Sequence, residues 1–195
     1  RHLAAGGTPF ALASVDGGKA VNASRNEVSD RDGAWSPDGK RLAFVADRAS
    51  NANTYVTELA SGETKRITSN VATDRNPVWS PDGRQLAFES NREGDWKIFL
   101  VKSDGTDERR LKFAWLYNAS IVDRETGNEL SPAWSPDGKQ IACSVTDNWY
   151  RALCIVTLDG GAPMKPLLYY PHLTDLTWSP DGKKLAFQCI RAQGF

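Results

Sequence analysis

Trp79-Ser80-Pro81-Asp82-Gly83 decides the fold, because the same five residues return at Trp35–Gly39, Trp134–Gly138 and Trp178–Gly182. The four Trp residues stand 44, 55 and 44 positions apart in a chain of 195. Four copies of one pentapeptide at this spacing mark an internal repeat. Ser-Pro-Asp-Gly is also a turn with a mechanism. Proline presets φ at the second position, Asp suits the third, and Gly takes the positive φ that ends the turn.

Around the pentapeptide the repeat extends in both directions. A basic residue and a short apolar run follow each copy: Leu42-Ala43-Phe44, Leu86-Ala87-Phe88, Ile141-Ala142-Cys143 and Leu185-Ala186-Phe187. Thirteen residues after the Trp stands Arg48, Arg92 or Arg191, with Asp147 in the third copy. A second apolar run comes next (Tyr55 to Leu59, Ile98 to Val101, Leu153 to Leu158), then a Gly-containing turn and a short closing segment such as Lys65-Arg66-Ile67. Period-2 alternation and turn punctuation make each unit four short antiparallel strands, a to d.

A four-stranded sheet repeated every 44 residues or so is a propeller blade. The fold class is therefore all-β, a β-propeller with four blade equivalents. Three whole blades fall at about 28–68, 72–112 and 129–168, and a split blade joins 174–195 (strands a and b) to 8–24 (strands c and d). The two halves are complementary, which suits a four-bladed ring closed by pairing them. The alternative is a segment cut from a larger propeller. The motif Trp residues are expected on strand a, wedged against the neighbouring sheet. Asp30, Asp74 and Glu129, five residues before their Trp, are expected to bridge to the repeated Arg at each blade end.

Twenty-four Lys plus Arg balance twenty-four Asp plus Glu. Recognition of nucleic acid by bulk charge needs a basic excess, so this balance argues against it. No apolar run reaches the length of a membrane helix. The start at Arg1, without Met or a signal-like segment, reads as a processed or trimmed end. Sixteen Gly, ten Pro and seven Trp fit many short strands joined by tight turns.

Residues 74–111 carry a wider pattern: Asp74, Pro77, Trp79 to Gly83, Leu86 to Phe88, Arg92, Gly94, Ile98 to Val101 and Asp104-Gly105. This resembles the WD-repeat-like propeller repeat of the TolB family, periplasmic components of the Tol–Pal envelope system. The resemblance covers nearly the whole chain and implies a periplasmic or extracytoplasmic scaffold. Blade three departs from it, lacking the Arg, carrying Cys143 for Phe and following an eleven-residue insertion. Nothing here resembles the smaller α/β domain of TolB proteins. Similar repeats build the propellers of the prolyl-oligopeptidase and tricorn families, so the alternative is a substrate-gating propeller of a hydrolase whose catalytic domain lies elsewhere.

No catalytic, cofactor or metal motif stands out. There is no Gly-x-Ser-x-Gly elbow, no His-Glu-x-x-His and no phosphate-cradling Gly loop. The two His residues, His2 and His172, have no Ser partner in a motif. Cys143 and Cys154 are expected on adjacent strands, either as buried thiols or as a cross-strand disulfide, and Cys189 makes the count odd. Asn22-Ala23-Ser24 and Asn118-Ala119-Ser120 match a glycosylation sequon that is common by chance.

The suggestive feature is asymmetry between two faces. The a–b and c–d turns share one face and hold the stereotyped Asp-Gly turns. The b–c and d–a loops share the other and hold the irregular segments. These carry Phe113, Trp115, Leu116 and Tyr117 in the insertion, Asn148, Trp149, Tyr150 and Arg151 in blade three, and Tyr169 and Tyr170 in the connection that follows. Aromatics with Arg on variable loops suit protein-binding hot spots; capping of blade ends is the other use for them. The reading is a non-enzymatic scaffold, without cofactor, that binds protein partners in a larger complex. It binds no nucleic acid and meets a membrane only through a partner.

Overall fold

A computed structural model describes residues 9–24, 29–48, 51–112, 114–117, 120–123, 127–147, 150–159, 166–170 and 172–190, with the backbone alone at 114–117, 120–123, 147, 150 and 190. The expected blades are present. Blade one is β3 (Asp30–Trp35), β4 (Arg41–Ala46), β5 (Asn53–Glu58) and β6 (Thr64–Arg66). Blade two is β7 (Asp74–Trp79), β8 (Gln85–Glu93), β9 (Asp95–Lys102) and β10 (Arg109–Arg110). Blade three is β13 (Glu129–Trp134), β14 (Gln140–Asp147), β15 (Tyr150–Thr157) and β16 (Leu168–Tyr170). Each is an antiparallel sheet in chain order. The insertion adds a hairpin of its own, β11 (Ala114–Tyr117) with β12 (Ser120–Asp123). Among the described residues no helix is long and apolar enough to cross a membrane.

The two half-blades fold as separate two-stranded sheets: β1 (Ala11–Leu12) with β2 (Val21–Asn22), and β17 (His172–Trp178) with β18 (Leu185–Ile190). The first packs on blade one, where Phe10 and Leu12 lie against a cluster of Leu42, Phe44 and Tyr55. Gly33 lets the Phe10 ring approach closely, since a Cβ would stand 2.7 Å from it and push it aside. The sheets thus form an open arc of a propeller. Its core lies between successive blades: Phe88, Phe99 and Ile67 between one and two, and Ile98, Leu111 and Cys143 between two and three. Cys143 and Cys154 are directly opposed and buried as free thiols.

All four pentapeptides make the same turn. In blade two the Gly83 N–H closes it on the Ser80 carbonyl at 2.9 Å. The Ser80 hydroxyl donates to Asp82 Oδ1 at 2.6 Å and accepts from the Gln85 N–H at 2.9 Å. The Asp carboxylate also accepts from the N–H two residues on. The Ser is therefore part of the turn, holding the Asp and the start of strand b together.

The motif Trp residues behave as expected in three blades. Trp79, Trp134 and Trp178 donate their indole N–H to the carbonyls of Ala34, Val78 and Ala133 on the preceding strand a, at 3.0, 3.3 and 3.0 Å. Trp35 differs: it is 53% exposed, because no strand a precedes it among the described residues.

The repeated Asp–Arg bridge is also corrected. Among the described residues it forms in blade two alone, where Arg92 lies 3.5 Å from Asp74. What recurs instead is a guanidinium over a cross-strand aromatic pair. Arg48 covers Phe44 and Tyr55, and Arg92 covers Phe88 and Phe99. Blade three replaces both aromatics by Cys143 and Cys154 and has Asp147 at the Arg position. The acids before the Trp serve the blade junction: Asp30 accepts from the Phe10 N–H and Glu129 from the Ile98 N–H, each on strand c or its approach in the preceding blade. Arg191 lies outside the described residues.

Candidate partner-binding face

The insertion is anchored at its foot to the b–c tip of blade two. Asp95 Oδ2 accepts from the Gly127 N–H at 2.9 Å, and Asn128 Oδ1 accepts from the Trp96 N–H at 2.9 Å. Lys97 donates to the Gly127 carbonyl at 2.6 Å. Lys97 is 1% exposed and lies 3.7 Å from Glu129, which Arg110 also meets at 3.2 Å. Burial pushes the Glu129 carboxyl up, although the Ile98 N–H and the Lys97 and Arg110 cations pull it down. A buried cation is retained here because it has a carboxylate and a carbonyl as partners.

Next to the foot, Glu89 binds across two blades. Its Oε1 accepts from Asn76 Nδ2 at 3.0 Å and from the Ser131 N–H at 2.7 Å, and its Oε2 accepts from Arg75 Nε at 2.6 Å. The Arg75 guanidinium in turn stacks 3.7 Å from the centre of the Trp96 ring. The result is a partly exposed Arg–Trp pair next to the foot of the insertion.

The four a strands line a cleft of about 270 Å3 along the propeller axis. At its wall Asp32, Asn76, Ser131 and Asp175, three residues before their Trp, share a left-handed backbone with φ of 56, 50, 55 and 54°. The a–b register shifts at this place in every blade. A bulge with a short polar side chain tolerating positive φ is thus built into the repeat.

Of the residues singled out in the sequence, Trp115, Leu116 and Tyr117 lie on β11, Tyr150 and Arg151 on β15, and Tyr169 and Tyr170 on β16. Phe113, Asn148 and Trp149 lie outside the described residues. Arg151 donates to the Leu173 carbonyl at 3.2 Å, and Tyr170 packs on Phe187 with centroids 5.6 Å apart, so both join blade three to the half-blade β17–β18. Tyr169 is half exposed. Arg75, Glu89, Trp96 and Lys97 were not anticipated. Their signal was an acid inside an apolar strand b, at the place of Val45, and a lone Trp after Gly94.

Inter-blade indole bonds, a bulged inner strand and an axial cleft define this chain as a β-propeller built from one blade repeat. Residues 9–122 match the TolB beta propeller domain, and the chain belongs to that family. The fold is shared with a protein assigned as TolB from Agrobacterium tumefaciens, at 22% identity and a TM-score of 0.74, over 95% of this chain and 67% of that one. It is shared with TolB from Acinetobacter baumannii, at 22% identity and a TM-score of 0.71, over 94% of this chain and 43% of that one. An oligogalacturonate lyase from Vibrio parahaemolyticus also has it, at 16% identity and a TM-score of 0.61, over 80% of this chain and 44% of that one. The chain thus spans less than half the length of two of these three proteins. Among curated proteins none matches the sequence.

Proposed function

We propose that the chain is a non-enzymatic propeller that presents one face to a protein partner, as part of an extracytoplasmic or envelope-associated complex. The observation that carries this is the anchored insertion. Three hydrogen bonds and a buried Lys97–Glu129 pair hold residues 127–129, the foot of the insertion that carries Trp115 and Tyr117, to the tip of blade two, where Arg75 stacks on Trp96. An insertion held at its foot has less ordering cost to meet on binding. The buried carboxylates Glu89 and Glu129 are engaged in bonds that hold blades together, which favours a scaffold over a catalyst. The envelope location rests on membership of the TolB propeller family.

A photocrosslinker at Tyr117, on the binding face, should capture a protein partner in envelope fractions, while one at Asp104, on the opposite face, should not. With the crosslinker kept at Tyr117, replacing Trp115 and Trp149 together with Ala should abolish the adduct and leave the far-UV spectrum intact. Undiminished capture by that folded variant would refute the reading.

A further inference from the structure

Blade three differs from its neighbours at one cross-strand pair. In blades one and two that pair is Phe44↔Tyr55 and Phe88↔Phe99, with ring centres 6.0 and 5.9 Å apart. In blade three it is Cys143↔Cys154. The side chains of a cross-strand pair leave the sheet on one face, so the two thiols meet where two rings meet in the other blades. Both are fully buried and free. Burial, then the Cys154 thiol beside it and Glu129, raise the Cys143 pKa well above the ordinary thiol range. Cys143 is therefore a protonated, unreactive thiol while the blade stays folded.

The register fixes how far apart the two residues stand. Just outside the b–c ladder of blade three, the Leu158 N–H donates to the Lys139 carbonyl at 3.0 Å. Antiparallel pairs alternate between hydrogen-bonded and non-hydrogen-bonded kinds. Counting inward by two from Lys139 and Leu158, first Ile141↔Val156 and then Cys143↔Cys154 are of the hydrogen-bonded kind. The Cα atoms of such a pair are about 5.5 Å apart, inside the range of about 4.4–6.8 Å that a disulfide spans. Their Cβ atoms lie near the upper end of about 4.5–5.5 Å, whereas a disulfide needs about 3.5–4.5 Å. An S–S bond here closes only by drawing strands b and c together by up to about 1 Å. Bonds under such strain are the readily reduced ones.

We propose that Cys143 and Cys154 form a reversible redox pair, which a disulfide oxidant closes into a strained cross-strand bond and reduced thiols reopen. The two thiols give up two electrons and two protons and gain an S–S bond, while the oxidant's own disulfide is split into two thiols. The exchange runs through opening of the b–c hairpin, since both sulfurs are buried. Eleven positions separate the two residues in the chain, so the hairpin brings them together each time it reforms. The strain also has a defined outlet. Thr146, three residues beyond Cys143 on strand b, donates its N–H to the Asn128 carbonyl at 2.7 Å. Its own carbonyl is the group packed against Gly127. Drawing strand b towards strand c pulls it away from these residues, so closing the pair loosens the foot of the insertion.

The test uses the chain with Cys189→Ser, in which two thiols remain. It is unfolded in urea, refolded in buffers of stepped reduced-to-oxidised glutathione ratio, quenched with acid, alkylated and read by mass spectrometry. The unmodified chain is run beside it, with its linked peptides mapped. The expected result is a Cys143–Cys154 disulfide in oxidised glutathione that is lost progressively as the share of reduced glutathione rises. Hydrogen exchange at the Thr146 amide should be at least threefold faster in the closed form. Thiols that stay open at every ratio, or carry glutathione in place of the bond, overturn the proposal. So does a bond that persists in reduced glutathione alone, which is a permanent staple, or a Thr146 amide that exchanges equally in both forms.

Discussion

The indole N–H of Trp79 donates to the carbonyl of Ala34 at 3.0 Å, carrying a strand-a residue of one blade onto the strand a of the blade before it. Arg41 closes the same contact from outside, with its guanidinium 4.5 Å from the Trp79 ring and a 2.8 Å bond to the Gly83 carbonyl. The junction therefore combines apolar burial with a satisfied donor. Trp79→Phe should cost about 1 kcal/mol or somewhat more, the lost hydrogen bond with a smaller ring. Trp79→Ala should cost about 3–5 kcal/mol. Trp35→Ala should cost well under about 1 kcal/mol, because its ring is half in water. Urea unfolding of the three variants ranks them, and equal losses at Trp35 and Trp79 would contradict this account of the junction.

Arg92 joins a cation–π contact to an ion pair. Its guanidinium lies 4.1 Å from the Phe99 ring centre and 3.5 Å from Asp74, whose side chain is fully buried; Glu108 is a further partner. Burial lowers the Arg92 pKa from its ordinary value, and Asp74 opposes that shift. Arg92→Met keeps apolar bulk over the rings but strands a buried carboxylate, so about 3 kcal/mol should be lost. Adding Asp74→Asn should restore much of it, a coupling that a double-mutant cycle measures directly. Arg48→Met lacks this penalty and should cost about 1 kcal/mol.

The repeat made the blades legible because the turn is local. Pro81, Asp82 and Gly83 act through backbone angles and short-range bonds, so four copies of a pentapeptide located strands a and b and the turns between them. The bridge expected between Asp74 and Arg92 was a guess about tertiary distance, and it failed at Arg48. There the guanidinium, besides covering Phe44 and Tyr55, donates to the Ser24 carbonyl of the preceding half-blade at 3.1 Å. Trp35 looked equivalent to Trp79, since sequence identity at a repeat position says nothing about whether a neighbour precedes it. Glu89 and Trp96 stayed hidden for the opposite reason. They occur in one blade only, where repeat reasoning averages them away, although an acid inside an apolar strand was a visible anomaly.

Two sets of carboxyls give stability opposite pH dependences. The hydroxyl of the turn Ser, then the N–H two residues on, hold Asp38, Asp82, Asp137 and Asp181 below the ordinary carboxylate range. Their contribution is present above the unfolded pKa, about 3.9, and is lost as pH falls through the lower folded values. Glu129 is raised by burial, so its contribution is full below the unfolded value, about 4.3, and is lost as pH rises through the folded one. Unfolding free energies measured from about pH 2 to pH 7 should show both slopes. Ser80→Ala should flatten the acid limb. Glu129→Gln should remove the loss on the upper side while keeping a neutral acceptor for the Ile98 N–H.

Gly127 offers the sharpest test of how the binding face is held. Its φ is 91°, and a Cβ added there would stand 2.2 Å from the Thr146 carbonyl oxygen, which is backbone and cannot swing aside. The same residue supplies the N–H that Asp95 accepts and the carbonyl that Lys97 meets. Gly127→Ala therefore shifts the foot of the insertion and leaves Lys97, buried, without one of its partners. The strain and the lost bonds should cost about 2–4 kcal/mol. The damage should be local, since the cores between blades one and two contain none of these groups. Hydrogen exchange should rise over 114–123 and 95–97 and stay unchanged at Phe44 and Phe88, and partner capture at Tyr117 should fall with it. Uniform deprotection across all blades, or capture that survives a freed hairpin, would show that the foot does not position this face.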